Sequence, residues 1–216
     1  MKMKDIAIYG AGGYGREVAC YVKTNNAIEP EWNIIGFFDD GIAKGTMTQY
    51  GEVLGGIDVL NEWSTELAIV FAIGTPKIVK AIVGKITNPR VFFPNIIDRS
   101  VCFLDKASVT MGMGNVIGSN SLISCDVVLG NFNLLNVYDQ VGHDTVLGDF
   151  NILMPTVNIS GGVTIGDCNL FGVKSTVLQY LKVGNGTIIG SGSVLMKDSQ
   201  DDTTYIGCPA RPFFVK

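Results

Sequence analysis

The chain has 216 residues, a net charge of −4 and only 17% charged residues, without a basic run. This balance excludes the positive surface that nucleic acid or an anionic membrane would require. No apolar run approaches the ~20 residues of a membrane span, and the N-terminus lacks the apolar core of a signal peptide, so we expect a soluble protein.

The first half of the chain alternates apolar strands with helix-like stretches. This alternation predicts a parallel sheet with helices on its faces. The predicted strands are Asp5–Tyr9, Asn33–Phe38, Leu67–Ile73 and Val91–Phe93, and the predicted helices are Arg16–Asn25 and Pro76–Ile86.

A glycine-rich loop connects the first strand to the first helix. Gly10, Gly12 and Gly15 form the pattern G-x-G-x-x-G, in which glycine lets the backbone approach a phosphate at the helix N-terminus. Asp39 follows the second strand, where a carboxylate could meet ribose hydroxyls. The predicted nucleotide-binding residues are Gly10, Gly12, Gly13, Tyr14, Gly15, Asp39, Asp40 and Gly74.

The loop by itself would suggest NAD. A dinucleotide fold has two mononucleotide halves, however, and the repeats described next begin before a second half could fit. We therefore expect a site for one nucleotide, with a purely structural glycine turn as the alternative. Lys44 could neutralise a phosphate or could be a solvated loop residue.

A six-residue repeat runs through the second half without a change of phase. Every sixth position from Met111 to Leu195 is apolar, and the next residue is usually glycine or another small or polar residue. The fifteen positions are Met111, Ile117, Ile123, Leu129, Leu135, Val141, Leu147, Leu153, Ile159, Ile165, Phe171, Val177, Val183, Ile189 and Leu195.

A period of six fits neither a helix nor a plain strand, and it argues against a β-sandwich. It predicts a triangular parallel β-helix, with the aliphatic residue inside, a small residue four positions later beside it, and Gly or Asn at the corner. Three units make one coil, so fifteen units predict about five coils.

The combination resembles the sialic acid O-acetyltransferase and UDP-N-acetylbacillosamine N-acetyltransferase family. The resemblance covers essentially the whole chain and includes Phe38-Asp39-Asp40, Gly142-His143-Asp144 and Gly207-Cys208-Pro209-Ala210-Arg211. It implies a nucleotide-sugar-binding α/β domain over residues 1–96 and a left-handed β-helix acetyltransferase domain over residues 97–216. It also implies a homotrimer with active sites between neighbouring subunits.

The only histidine of the chain, His143, matches the family's catalytic histidine. An imidazole can accept the proton that an amine or hydroxyl loses when it attacks the thioester of acetyl-CoA. Asp144 matches the carboxylate that orients the ring, and Asn136 matches a family asparagine near the reacting groups, although it could be a simple corner residue. Ile152 stands where some relatives have a second histidine, so a backbone N–H is the expected oxyanion donor.

The resemblance implies that acetyl-CoA lies along the later coils. The candidate contacts are Gly161, Gly172, Lys174, Gly190 and Arg211, each of which could equally be a structural corner or a solvated charge. No metal is expected, because a β-helix carbonic anhydrase would need three histidines.

Five scattered cysteines lack the spacing of a metal or redox site. We expect them to be buried, reduced thiols in the cytoplasm. They are Cys20, Cys102, Cys125, Cys168 and Cys208.

The sequence therefore predicts an acetyl-CoA-dependent acetyltransferase that acts on a UDP- or dTDP-linked amino sugar for surface glycans or glycoproteins. The alternatives are an O-acetyltransferase of a sialic-acid-like sugar and a non-catalytic scaffold that binds nucleotide-sugars.

Overall fold

The computed structural model describes residues 3–213 and has two compact units, which divide between Arg99 and Ser100. The predicted domain boundary lies three residues earlier in the chain. Residues 1–2 and 214–216, which the two predicted domains include, lie outside the described residues.

The first unit is a sheet with three helices. Its strands are β1 (Lys4–Tyr9), β2 (Trp32–Phe38), β3 (Met47–Thr48), β4 (Gly51–Gly55), β5 (Leu67–Phe71), β6 (Val91–Phe92) and β7 (Ile96–Ile97), and its helices are α1 (Gly13–Asn26), α2 (Ile57–Asn61) and α3 (Pro76–Val83). The strand order is β3-β4-β2-β1-β5-β6, and all neighbours are parallel except β3 and β4. The parallel sheet is confirmed, whereas β3, β4 and α2 were not predicted.

The strand order creates a switch point at the centre of this sheet. From β1 the chain continues to β2 and β4 on one side, and then crosses to β5 on the other side. In open parallel sheets, ligands bind outside the carboxyl ends of the strands at such a point. The glycine loop after β1 and the Ile73-Gly74 segment after β5 both lie there.

The second unit is a parallel β-helix with three sheets. Its strands are β8 (Cys102–Phe103), β9 (Thr110–Met111), β10 (Val116–Ile117), β11 (Leu122–Ile123), β12 (Val128–Leu129), β13 (Leu134–Leu135), β14 (Gln140–Val141), β15 (Val146–Leu147), β16 (Ile152–Leu153), β17 (Asn158–Ile159), β18 (Thr164–Ile165), β19 (Leu170–Phe171), β20 (Thr176–Val177), β21 (Lys182–Val183), β22 (Ile188–Ile189), β23 (Val194–Leu195), β24 (Thr204–Gly207) and β25 (Ala210–Pro212).

From β8 to β23, successive strands go to successive faces, so each strand pairs with the strand three places later in the chain. At the end, β24 pairs with β22, and β25 pairs with β24. One face has the order β25-β24-β22-β19-β16-β13-β10, the second β23-β20-β17-β14-β11-β8, and the third β21-β18-β15-β12-β9. From β8 to β23 the paired residues differ by 18 positions except where β8 meets β11, because a 3₁₀ turn (Lys106–Ser108) adds two residues to the first coil. The third face has five strands and the second has six, against the about five coils predicted, and the predicted fold class is confirmed.

The interior follows the predicted hexad. Fourteen of the fifteen repeat positions are buried, and Met111 in the first coil is half-buried. The small residues four positions later, such as Ser121, Thr145 and Ser175, are completely buried. Side chains of both kinds therefore fill the prism.

The predicted role of glycine at the corner is wrong. From Met111 to Ile189, the left-handed backbone conformation occurs three residues after each inward residue, and most of the residues that adopt it are not glycine: Asn120, Asp126, Phe132, Tyr138, Asp144, Phe150, Thr156, Cys168, Lys174 and Tyr180. The glycine directly after the aliphatic is needed for space instead. A Cβ atom at Gly142, for example, would lie 2.5 Å from the Gly161 nitrogen in the next coil.

Two columns of side chains link the coils. Inside the prism, the Oδ1 atoms of Asn115, Asn133, Asn151 and Asn169 each accept the backbone N–H 18 residues later, at 2.7–3.0 Å. At the surface, backbone N–H groups of one coil donate to Asn131, Asp149, Asp167, Asn185 and Asp201 of the next. We call the first set the asparagine ladder.

Candidate active site

His143 and Asp144 form a hydrogen-bonded pair at a corner of the β-helix. His143 follows β14, and its Nδ1 lies 2.7 Å from Asp144 Oδ2. Asp144 adopts the left-handed conformation, with φ of 56°, which aspartate tolerates and which returns its carboxylate towards the preceding ring. The side chains are 52% and 64% exposed. The carboxylate favours the tautomer with hydrogen on Nδ1, which leaves Nε2 as the proton acceptor.

Gly161 lies beside the Nε2 edge of the imidazole. It is the residue one coil after His143, and a Cβ atom at Gly161 would overlap Nε2. Its carbonyl accepts from Tyr180, whereas its N–H has no acceptor within residues 3–213. Gly161 was predicted as an acetyl-CoA contact, and the structure places it next to the predicted base with a free donor.

Asn136 lies at a different corner from His143. It follows β13, which belongs to another face of the prism than β14. About five residues of extended chain separate the two corners, roughly 16 Å at ~3.3 Å per residue. Asn136 is 7% exposed, and its Oδ1 accepts the Val137 N–H at 2.8 Å. The structure thus brings Asp144, but not Asn136, to His143 within one chain.

Ile152 is 2% exposed in β16, so the position that some relatives use for a second histidine is an apolar, buried one. An imidazole is therefore absent there. Gly161, beside the His143 ring, has an N–H without an acceptor within residues 3–213, and a backbone oxyanion donor stays a prediction.

The remaining acetyl-CoA candidates lie at the Asn136 corner or in the C-terminal hairpin. Gly172 and Gly190 follow β19 and β22 on the face that contains β13, and a Cβ at Gly172 would lie 2.5 Å from Ser191 N. Lys174 is exposed and left-handed, with φ of 58°. Arg211 is exposed on β25. Gly172, Lys174 and Gly190 therefore lie at the Asn136 corner and Arg211 lies in the hairpin, whereas Gly161 lies at the corner of His143.

In the first unit, the glycine loop is tightly packed at its ends and open in the middle. Gly10 has φ of 112°, and a Cβ there would lie 2.6 Å from the Ala72 carbonyl, while a Cβ at Gly15 would overlap the Gly10 carbonyl. Gly12, by contrast, has no atom within 4 Å of that position, and both Gly12 and Gly13 are exposed. Tyr14 is half-buried. The open segment is the N-terminal end of α1, which suits an anion.

Asp39 and Asp40, predicted to contact the nucleotide, make hydrogen bonds within the unit. Asp39 accepts the N–H groups of Ala11, Gly41 and Ile42 at 2.8–3.1 Å and so holds the glycine loop. Asp40 accepts the Tyr9 hydroxyl at 2.7 Å and the Ile57 N–H at 2.8 Å. Burial, together with this bond to Asp40, raises the pKa of Tyr9 above its usual range.

Sequence reasoning missed Arg16. Its guanidinium would lie 3.9 Å from a Cβ at Gly13, beside the exposed end of α1. A helix favours acidic residues in its first turn, yet α1 has none. An arginine near the start of α1, without an acidic residue in the first turn, is the sequence feature that could have indicated an anionic ligand. Gly74 is exposed after β5, and Thr75 is the N-cap residue of α3.

Other features can be stated for the described part of the chain. It contains no group of three or more His, Cys, Asp or Glu side chains that could hold a metal ion, and no helix in it is long and apolar enough to cross a membrane. The prediction of buried cysteines is wrong. Cys20, Cys102 and Cys208 are exposed, and Cys125 and Cys168 are half-buried. Cys20 lies on the exposed side of α1, and the other four lie outside the hexad interior.

Comparisons with known proteins agree with this architecture. Residues 5–86 match the PglD N-terminal domain. A comparison with curated protein sequences gave no match.

Three solved structures are similar over nearly the whole chain. The acetyltransferase domain of PglB from Neisseria gonorrhoeae FA1090, in complex with acetyl coenzyme A, is 28% identical over 98% of this chain and 100% of that one, with a TM-score of 0.87. WeeI from Acinetobacter baumannii AYE is 26% identical over 98% and 100%, with a TM-score of 0.86. PerB from Caulobacter crescentus, in complex with CoA and GDP-perosamine, is 25% identical over 99% of each chain, with a TM-score of 0.86. In its N-terminal domain and in its β-helix of hexapeptide repeats, the chain is thus similar to these structures, which include an acetyltransferase domain.

Proposed function

We propose that the protein transfers acetyl from acetyl-CoA to an amino group of a nucleotide-linked sugar, with His143 as general base. The observation that carries the proposal is the His143–Asp144 pair, whose Nε2 lies beside Gly161, a residue whose N–H has no acceptor within residues 3–213. The similar PglB domain was solved with acetyl coenzyme A and the similar PerB with CoA and GDP-perosamine, which supports both substrate classes.

The pair can drive direct transfer. As the amine attacks the thioester carbonyl, Nε2 accepts its proton, and the carboxylate of Asp144 stabilises the imidazolium through Nδ1–H. The carbonyl oxygen becomes an oxyanion, which the Gly161 N–H can stabilise. The tetrahedral intermediate then expels the CoA thiolate, which takes the proton from the imidazolium. The products are the N-acetyl sugar and CoA, and His143 returns to its neutral form.

A complete site requires more than one copy of the chain. Asn136 and His143 project from different corners, as do Gly172 and Gly161. If neighbouring β-helices pack corner to corner, Asn136 and the later coils of one copy meet His143 of the next. This arrangement supports a homotrimer with acetyl-CoA in the groove between copies.

The first unit supports binding of the nucleotide part. The exposed N–H groups at Gly12 and Gly13 lie at the positive end of α1, and Arg16 adds a cation beside them. This combination suits the diphosphate of a nucleotide-sugar. In this proposal the main role of Asp39 is to hold the glycine loop through its hydrogen bonds, and a contact with the ribose is a lesser role.

The first experiment is acetyl transfer measured by mass spectrometry. Purified protein is mixed with acetyl-CoA and a panel of UDP-, dTDP- and GDP-linked amino sugars, together with sialic-acid-like sugars. We expect one acetyl group to be added to an amino sugar, and His143→Ala to lower the rate by at least ~100-fold, because it removes the general base.

Cys125→Ala is the matched control, since Cys125 lies one coil before His143 at the same corner position. It should retain activity, because direct transfer needs no thiol. Acetylation of a hydroxyl sugar alone would make the protein an O-acetyltransferase. Binding of nucleotide-sugar without transfer to any acceptor would favour the scaffold.

A further inference from the structure

Tyr180 presents an exposed aromatic ring at the corner that carries His143. It lies two coils after Asp144 at the same hexad position, three residues after the inward Val177. Tyr180 is 73% exposed, and its backbone N–H donates to the Gly161 carbonyl at 3.0 Å. The backbone below the ring is thus bonded to the residue that lies beside the proposed base.

The rings of His143 and Tyr180 lie over two adjacent glycines. A Cβ atom at Gly161 would overlap the His143 ring, and a Cβ atom at Gly162 would overlap the Tyr180 ring. The His143 ring reaches its glycine from the preceding coil, and the Tyr180 ring reaches its glycine from the following coil. Because adjacent Cα atoms are only ~3.8 Å apart, the two rings border the same short stretch of backbone.

A matching ring at the third corner shows how Tyr180 differs from a packing residue. Phe132 also has a left-handed backbone, with φ of 54°, and a Cβ atom at Gly114 of the preceding coil would lie 2.5 Å from its ring. Phe132, however, stacks on Phe150 of the next coil at a centroid distance of 5.2 Å and is half-buried. One coil after Tyr180, the same corner position holds Asp198, which has no ring. Packing between coils therefore accounts for Phe132, whereas the outer face of the Tyr180 ring is open to a ligand.

The proposed mechanism indicates which part of the substrates borders this ring. The amine lies at His143 Nε2, where it loses its proton, and the carbonyl oxygen of the thioester lies at the Gly161 N–H. Gly162, the next residue, therefore borders the thioester and the chain attached to its sulfur, and not the amine. Tyr180 covers Gly162 from a later coil. Its ring offers that chain a flat apolar face with a polar hydroxyl at one end.

We infer that Tyr180 binds the pantetheine arm of acetyl-CoA next to the thioester, with its ring against the methylene and amide groups of the arm. The inference rests on the proposed function, from which it takes the position of the thioester. The ring holds the thioester carbonyl at the Gly161 N–H. Its removal therefore weakens the binding of acetyl-CoA and leaves the binding of the acceptor sugar unchanged.

The test measures the Kd of acetyl-CoA by isothermal titration calorimetry for the intact protein and three variants. Tyr180→Asn removes the ring, and asparagine tolerates the left-handed backbone. Tyr180→Phe keeps the ring, and Phe132→Asn removes the matched ring at the third corner. We expect the Kd to rise on the order of tenfold in Tyr180→Asn, because an aromatic contact is lost, and to stay within about twofold of wild type in the other two variants.

Thermal unfolding of the same variants separates binding from stability. Phe132→Asn should lower the Tm more than Tyr180→Asn, because only the Phe132 ring stacks on another ring. An unchanged Kd in Tyr180→Asn would overturn the inference and leave the proposed function intact, and a higher KM for the acceptor sugar in that variant would then assign the ring to the acceptor. An equal rise of the Kd in Phe132→Asn would mean that loss of either ring acts through the fold, which also overturns the contact. If wild type binds no acetyl-CoA, the proposed function fails and the inference fails with it.

Discussion

Gly15, Gly142 and Gly161 all have backbone angles outside the left-handed region, yet none has room for a Cβ atom. At Gly15 and Gly142 the obstacle is a backbone atom. The lack of a side chain at these two positions therefore allows the close packing of the glycine loop and of neighbouring coils. At Gly161 the obstacle is the His143 ring. The hydrogen that glycine carries in place of a side chain at position 161 therefore leaves room for the His143 ring, the proposed general base.

Gly161→Ala should reduce catalysis without unfolding the β-helix. The new methyl group would push the imidazole away from its position beside Asp144, and a displacement of about 1 Å can cost on the order of 100-fold in rate. We expect kcat to fall at least ~10-fold while circular dichroism stays unchanged. Ser160→Ala, at the neighbouring residue, adds no atoms and is the control. An active Gly161→Ala would show that the ring has another productive position.

Single residues were predicted unevenly from the sequence. The catalytic roles of His143 and Asp144 were predicted from their match to the family's positions and stay predictions, and the structure adds that the two side chains are hydrogen-bonded. Gly161 was predicted for another role, since its contact with the ring depends on the 18-residue stacking of coils.

At the scale of elements, the asparagine ladder joins coils that share few other polar contacts inside the prism. The Oδ1 of Asn151 accepts both the backbone N–H of Asn169, at 3.0 Å, and its side-chain amide, at 2.9 Å. Each ladder residue is at most 1% exposed, so a lost acceptor cannot be replaced by bulk water.

Asn151→Ala should lower the free energy of unfolding by about 2 kcal/mol, because it leaves a buried N–H without an acceptor. Ser175→Ala is the matched control. Ser175 is equally buried, but its hydroxyl has no partner among the described residues, so its loss should cost less than about 0.5 kcal/mol. Urea unfolding of both variants measures the difference. Equal costs would mean that the ladder contributes nothing beyond packing.

The elements were predicted to different extents for a physical reason. The hexad gives the position of each strand, since every inward aliphatic lies in a strand of two residues. The corners were assigned wrongly because left-handed residues such as Phe132 and Phe150 have no intrinsic preference for that conformation. Their rings stack at 5.2 Å, an interaction between coils that a local pattern does not contain. The short β3 and β4 were missed because glycine occupies both ends of β4.

At the scale of the whole molecule, the proposed homotrimer makes neighbouring copies share each site, because Asn136 and His143 follow strands on different faces of one prism. His143→Ala and Asn136→Ala should each be nearly inactive alone. When two differently tagged variants are co-expressed and mixed trimers are isolated, about a third of the sites in these trimers receive an intact residue from both neighbours. We therefore expect activity to return to roughly that fraction of wild type.

The control for this experiment is a mixture of the two variants purified separately and combined without exchange of subunits, which should stay inactive. Mixed trimers that also stay inactive would mean that each chain uses its own Asn136 and His143. The proposal that neighbouring copies share each site would then be wrong.

The β-helix has a six-residue period for its inward aliphatic residues and an 18-residue period for the asparagine ladder. Together the two periods limit how the length of the β-helix can change. An insertion of six residues keeps every aliphatic inside, but it moves the later asparagines to another corner and breaks the ladder. An insertion of 18 residues preserves both, because ladder partners differ by 18. The two extra residues of the first coil precede Asn115, where the ladder begins. Duplication or loss of whole coils is therefore the change of length that this architecture tolerates during evolution.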